Sequence, residues 1–253
     1  MLFVIDAGNT NIVGAAYEGG RLLESLRIRT VHGKTEDEYG VVVKSILKDR
    51  GIDPARIRTV IISSVVPPLT TTVAKMARAV FGSEPVTVGP AVYDRLPLRI
   101  LAPDEIGSDL VADALGAWEL FGGPCLVVDF GTALTFTAVD ASRTIAGVAI
   151  APGLGTAAGS LSTATARLPA VPLEAPASAL GQNTVQAIQA GVVLGYAGLV
   201  DSMVTRIKTE LGGAKVVATG GLCRVLSGLT QAFDAIEPDL TLNGLAAMER
   251  YLF

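Results

Sequence analysis

Two stretches of this chain end an apolar run in aspartate and then turn through glycine into a second apolar run. VIDAGNTNIVG carries Asp6, Gly8, Asn9, Thr10 and Asn11, and VVDFGTALTF carries Asp129, Gly131, Thr132 and Thr135. Glycine lets a backbone approach a bulky anion, turn amides with Asn and Thr side chains donate to phosphate oxygens, and a strand-end carboxylate can hold Mg2+ through water. Alone, either stretch also reads as an ordinary hairpin turn, because Asn and Gly favour turns for conformational reasons. Their recurrence nearly half the chain apart shifts the reading toward phosphate binding. A third glycine turn, Thr219-Gly220-Gly221, closes the apolar run AKVVAT. Three such turns would form a cleft gripping a nucleotide. The Walker pattern G-x-x-x-x-G-K-[ST] is missing, so the chain is not expected to be a P-loop protein.

Asp109 follows Gly107-Ser108 in PDEIGSDLVADALGAW, at what reads as a helix start. An exposed carboxylate there could accept a proton from a substrate hydroxyl. It could equally be a first-turn carboxylate favoured by the helix macrodipole, an effect of roughly 0.3 to 1 kcal/mol. Thr184 in GQNTVQ is open in the same way, as a helix cap or as a substrate contact.

The elements that must position these residues alternate between strand and helix. LFVIDAG, NIVGAAYE and RLLESLRIRT read as a meander, and TVIISSVV as a strand buried on both faces and stopped by Pro67-Pro68. TEDEYGVVVKSILKDRG has helical spacing, with Thr35 and Glu38 in capping-box positions and Gly51 as its stop. Helix TTTVAKMARAVFG and strand PVTVG complete a first α/β unit. A helix over 111–121 leads to a second meander from Pro124. A long helix over 184–207 reads most plainly as buried, although its apolar and small residues also make it a candidate dimer interface. An amphipathic helix, LTLNGLAAMERYLF, closes the chain. The repeat predicts an internal duplication into α/β domains at 1–117 and 118–253.

Composition narrows the functions. Half of the 253 residues are hydrophobic, 17% are charged and 5% aromatic, and the formal net charge is −4. That describes a folded globular chain without a basic footprint for nucleic acid or an anionic membrane. Cys125 and Cys223 sit in apolar runs and are too few for a disulfide framework or a cysteine zinc site, so both read as core. The single histidine, His32, lies in a polar loop, which disfavours a histidine base or a Ser-His-Asp triad. The N-terminal apolar run is too short for a signal peptide or membrane span, and Asp201 would be costly within one, so the expected location is cytoplasmic.

In order along the chain, DAGNTN at 6–11, SSVVP at 63–67, PDEIGSD at 103–109, VDFGTALTF at 128–136, VAIAPGL at 148–154, ARLPAV at 166–171, GQNTVQAIQAG at 181–191 and ATGGL at 218–222 resemble the type III pantothenate kinases of the acetate and sugar kinase, Hsc70 and actin superfamily. The resemblance implies two duplicated ribonuclease H-like (actin-like ATPase) domains with a central cleft. It implies ATP-dependent phosphorylation of pantothenate, the first step of coenzyme A synthesis, with Mg2+, a monovalent cation (K+ or NH4+) and a homodimer. By position, Asp6, Ala7, Gly8, Asn9, Thr10, Asn11, Ile12 and Val13 would surround the ATP phosphates, with Thr132, Gly220 and Gly221 also at the nucleotide. Asp129 would hold the monovalent cation. Ile100, Gly107, Ser108, Asp109, Leu110 and Thr184 would meet pantothenate, Asp109 being the proton acceptor. The chain departs from the family pattern at Leu110, where Arg is usual, at Ile100 for Tyr, at Ala102 for Asn, and at Ala164 and Ala170 for Arg. Arg99 and Arg167 are the candidates to replace those cations at the pantothenate carboxylate. The altered acceptor residues keep open a kinase for another small alcohol, and a non-catalytic accessory homologue is the third reading.

Overall fold

The computed structural model describes all 253 residues, and their packing separates two compact units. One is Met1–Glu119 together with Leu240–Phe253, and the other is Leu120–Asp239. The closing helix (α9, Leu240–Leu252) thus belongs with the first unit rather than with the residues that precede it. The reason is packing. Gly244 lies so close to the Ala112 carbonyl that no Cβ could be accommodated, Tyr17 donates to Asn243 at 2.8 Å, and Thr241 donates to Asp113 at 2.7 Å.

In the first unit, β1 (Leu2–Ala7), β2 (Asn11–Glu18) and β3 (Arg21–Arg29) form the expected antiparallel meander. Helix α1 (Glu36–Asp49) begins at the predicted capping box, with Thr35 N–H on Glu38 at 2.8 Å and Glu38 N–H on Thr35 at 3.3 Å. Next come β4 (Thr59–Ser64), α2 (Pro67–Phe81) and β5 (Val86–Thr87). Helix α2 starts at the proline pair, earlier than its apolar pattern suggests, because proline is preorganised for the first helical turn, where its missing N–H costs nothing. Short α3 (Pro90–Tyr93) and β6 (Arg99–Ile100) lead to α4 (Ser108–Phe121). The strand order is β3-β2-β1-β4-β5, with β4 and β5 parallel to β1. Phe3, Ile5, Val60 and Ile62 face α1 and α2. The alternating residues, Leu2, Val4, Asp6, Ile61 and Ser63, therefore share the opposite face, on which α9 packs.

The second unit repeats this plan. It contains β7 (Cys125–Phe130), β8 (Ala133–Val139), β9 (Thr144–Pro152), α5 (Leu154–Ala164), α6 (Thr184–Gln189), a π-helical turn at Ala190–Leu194, α7 (Gly195–Glu210), β10 (Lys215–Thr219), α8 (Cys223–Leu226) and β11 (Ala235–Ile236). Its strands run β9-β8-β7-β10-β11, and β7 is antiparallel to β8 and parallel to β10, as β1 is to β2 and β4. The duplication read from the two Asp-x-Gly stretches is thus a duplication of topology. Leu126, Val128, Phe136, Val216 and Ala218 pack against α7 and α8. Cys125 and Cys223 are both buried, as expected.

The continuous helix from 184 to 210 is less buried than its sequence suggests. Only 39% of its most apolar stretch is buried, and Val185 is 41% exposed. By length and composition it could span a membrane, yet Val193, Ala197, Val200 and Val204 are buried, the last three against the second sheet. Sequence reading also assigned no helix to 154–164, where LGTAAGSLSTA has too few large apolar residues to display a helical period.

Candidate active site

Asp6 is the penultimate residue of β1, and the turn after it is pinned from several sides. Gly8 N–H donates to the Asn11 carbonyl at 2.9 Å, Thr30 hydroxyl donates to the Gly8 carbonyl at 2.7 Å, and Thr30 N–H donates to the Thr10 carbonyl at 3.0 Å. These bonds consume turn carbonyls and leave the exposed Asn9 and Thr10 side chains on the outer surface of a preorganised loop. Ala7 and Ile12 instead point into the core beside α1 and α2, so they can offer a ligand only their backbone. Val13 and Asn11 are half-buried on β2.

Ser63 lies directly across from Asp6 on the parallel strand β4. Its hydroxyl donates to the Asp6 carboxylate at 3.0 Å and lies 2.9 Å from the Ser108 hydroxyl, which also accepts from Ser64 N–H at 3.1 Å. Ser108 is 5% exposed, so its side chain is turned into the protein rather than presented to a substrate. Ser63, Ser64 and Thr30 were not singled out as functional from sequence, although SSVVP was noted as a motif. The signal that could have found Ser63 is register, since a parallel β1–β4 pair aligns Ser63 with Asp6.

Asp109 is half-buried in the first turn of α4. Its carboxylate accepts from Leu110 N–H at 2.8 Å. A Cβ at Gly107 would press on the Asp109 carboxylate and displace it from this position. Burial raises the Asp109 pKa above the ordinary aspartate value, and backbone hydrogen bonds from Leu110 and from its own N–H oppose that rise. Tyr93 is pushed up to about 12, first by burial and then by the Asp109 charge. A carboxylate shifted upward by desolvation is a better proton acceptor than a fully hydrated one. Ile100 and Leu110 are half-buried, while Arg99 and Arg167 are exposed.

In the second unit Asp129 is the penultimate residue of β7, with Thr219 and Thr135 as its lateral neighbours in the sheet. Thr219 is 1% exposed and its hydroxyl has no hydrogen-bond partner. Gly220, at φ +87°, brings its α-carbon against the Asp129 carboxylate where no side chain would fit. The Gly131-Thr132 turn is anchored by Gly153 N–H and the Thr156 hydroxyl, both donating to the Thr132 carbonyl at 3.1 and 2.6 Å. Thr132 and Gly221 are exposed. Thr184 is the first residue of α6 but not its cap, which is Asn183, accepting from Gln186 N–H at 3.0 Å. Thr184 instead faces a groove of about 760 Å³ with Leu161, Leu168, Asn183, Ile188 and Tyr196. Nowhere do three His, Cys, Asp or Glu residues gather as a ready-made metal cluster.

Solved structures share this architecture across nearly the whole chain. A Baf family transcriptional activator from Campylobacter jejuni aligns with a TM-score of 0.59 at 18% identity, covering 98% of this chain and 97% of that one. A ROK hexokinase from Thermus thermophilus aligns with a TM-score of 0.50 at 16% identity, covering 97% and 96%. The fold is therefore that of the actin-like ATPases and sugar kinases, built from two duplicated ribonuclease H-like units. Sequence comparison is more specific: the type III pantothenate kinase family pattern matches residues 2–206. A type III pantothenate kinase from Moorella thermoacetica is 41% identical over 246 residues, or 97% of each chain. The chain belongs to the type III pantothenate kinase family.

Proposed function

We propose that this chain transfers the γ-phosphoryl group of ATP to the primary hydroxyl of pantothenate, the entry step of coenzyme A synthesis, with Asp109 as the proton acceptor. The observation that carries the proposal is Asp109 itself, a half-buried carboxylate with its pKa raised by desolvation and its position fixed by Leu110 N–H. It would orient the attacking hydroxyl and receive its proton as the new P–O bond forms. The Asp6–Val13 turn would cradle the phosphates with backbone and side-chain donors, and Thr132, Gly220 and Gly221 would meet the rest of the nucleotide. Gly107, Asp109 and Leu110, with Ile100 and Thr184, would bound the acceptor site, while Ser108 would contribute through its backbone.

The donor sets suit the expected ions. Asp6 stands without an acidic cluster, as befits Mg2+ held largely by water and phosphate oxygens. Asp129 beside the unpaired Thr219 hydroxyl offers hard oxygen atoms for a monovalent cation, K+ or NH4+. Bound at Asp6, Mg2+ would neutralise charge on the transferring phosphoryl group. The exposed small residues Ala187, Gly191, Gly195 and Gly198 of the helix at 184–210, with exposed Val185, support a homodimer, and the location is proposed as cytoplasmic.

Leu110, where Arg is usual, favours one second reading: a kinase for another small alcohol. A coupled ADP-release assay with MgATP and pantothenate, with and without K+, alongside a panel of other alcohols, separates the two. K+-stimulated turnover on pantothenate is expected; silence there with release on another alcohol overturns the substrate assignment. A monomer by static light scattering at micromolar concentration overturns the dimer.

A further inference from the structure

Ser63 is fully buried near the end of β4, and its hydroxyl sits between the Asp6 carboxylate and the Ser108 hydroxyl. A serine has one hydroxyl proton. Ser63 commits its proton to the Asp6 carboxylate, which can only accept. Across the 2.9 Å contact, Ser108 must then be the donor and Ser63 the acceptor. Ser108 retains a lone pair for Ser64 N–H. Ser64 in turn accepts from Thr70 at 2.9 Å, anchoring this corner to α2. The result is a one-directional chain, Ser108 to Ser63 to Asp6, with every member satisfied. It runs from the first residue of α4, immediately before Asp109, to the aspartate of the phosphate turn.

We propose that Ser63 is a positioning residue for phosphoryl transfer. Its hydroxyl locks the start of α4 to Asp6, so that Asp109 and the phosphate turn keep one fixed register. This rests on the pantothenate kinase reading for its chemical step but not for its geometry. A loop without this tie would let the first turn of α4 shift against β1. Near-attack alignment is sensitive to displacements of about 1 Å. Ser63 touches neither substrate, so its removal should affect turnover more than acceptor binding. The Ser63–Asp6 bond also orients the carboxylate that would face MgATP, which predicts a second effect on nucleotide affinity.

The test uses the full chain with Ser63→Ala, Ser108→Ala, the double variant, and Ser63→Cys, which keeps the side-chain shape but offers only a weak donor. Two readouts are needed: kcat and KM with pantothenate, and equilibrium binding of a fluorescent ATP analogue with Mg2+. Ser63→Ala should lower kcat roughly tenfold to hundredfold, the range for losing one hydrogen bond to a charged group, and Ser108→Ala roughly twofold to tenfold, the range for a bond between neutral groups, with KM for pantothenate changed less than threefold or so. Ser63→Cys should resemble Ser63→Ala. The double variant should lose little more than the worse single one, because both mutations cut the same chain. Ser108→Ala should also weaken Mg-nucleotide binding, though Ser108 does not touch Asp6.

Wild-type kcat in folded Ser63→Ala or Ser63→Cys, even with a lowered melting temperature, would reduce Ser63 to a structural role and overturn the proposal. Fully multiplicative losses in the double variant would do the same. If the wild-type chain proves inactive on pantothenate, the substrate reading fails alone. The nucleotide-binding cycle between Ser63 and Ser108 then still decides the tie.

Discussion

Replacing Asp109 with asparagine should move activity and stability in opposite directions. Asparagine matches aspartate in shape, and its amide oxygen can still accept from Leu110 N–H at 2.8 Å, so the first turn of α4 stays as it is. What disappears is the capacity to take a proton. Loss of a positioned general base costs about 10² to 10⁴ in kcat, or about 3 to 5 kcal/mol of barrier. Stability should follow the electrostatics. Burial raises the Asp109 pKa, so the native state holds that proton more tightly than the unfolded chain does. The stabilising contribution of a raised carboxyl is complete below its unfolded value, near 3.8, and is lost as pH rises through the folded value. At pH 7.5 or so the wild type therefore carries an unfavourable buried charge that Asp109→Asn lacks. The variant should melt at the same or a higher temperature there, and the gap should close as pH falls toward the ordinary carboxylate range. Scanning calorimetry across pH, paired with single-turnover kinetics, reads both. An asparagine variant within about tenfold of wild-type kcat would remove Asp109 as proton acceptor. A variant that melts several degrees lower at neutral pH, with no dependence of the gap on pH, would refute the desolvation argument.

Asp6→Asn should raise the KM for MgATP more than the KM for pantothenate in initial-rate kinetics, and equal effects would remove Asp6 from the phosphate turn. Thr219→Val replaces an unpaired buried hydroxyl with an isosteric methyl, so thermal stability should be unchanged or gain about 1 kcal/mol. Stimulation of turnover by K+ should nevertheless weaken, and full K+ stimulation would exclude Thr219 from the cation site. Gly244→Ala forces a methyl into the Ala112 carbonyl, which should cost about 1 to 3 kcal/mol in urea denaturation as α9 is pushed from α4. An unchanged midpoint would show that α9 is free to slide.

The sequence made the duplicated architecture legible because each half repeats a conspicuous element, an apolar strand ending in Asp-x-Gly. Its limits are equally physical. The closing helix joins the first unit through Gly244 against Ala112, and a close approach between residues more than a hundred positions apart leaves no local periodicity to read. Helix α5 was invisible because small residues build it, and α6–α7 looked more buried than it is because composition reports apolarity rather than which face is covered. At the site the aspartates stand out in sequence, but the hydroxyls set beside them do not. Ser63, Thr30 and Thr219 are ordinary residues in strands or turns until strand register sets them beside Asp6, the phosphate turn and Asp129. The family resemblance places Ser108 among the substrate contacts, whereas its side chain faces inward.

The duplication also supplies a comparison that neither half offers alone. In both sheets the aspartate near the end of the first strand is matched, on the adjacent parallel strand, by a hydroxyl residue: Ser63 across from Asp6, and Thr219 across from Asp129. The two pairs occupy equivalent places but have diverged in what the hydroxyl does. Ser63 is fully engaged, donating to Asp6 and accepting from Ser108, whereas the Thr219 hydroxyl has no protein partner despite being buried. An unpaired buried hydroxyl costs about 1 to 3 kcal/mol relative to a satisfied one, so selection for stability alone would favour valine at 219. A buried hydroxyl left unpaired beside a carboxylate fits the cation site proposed at Asp129. In the first half the same position is bonded internally, tying Asp6 to the first residue of α4. Thr219→Val and Ser63→Ala, compared in the same assays, separate the two: the first should alter K+ dependence with stability kept, and the second should alter turnover and Mg-nucleotide affinity with K+ dependence kept.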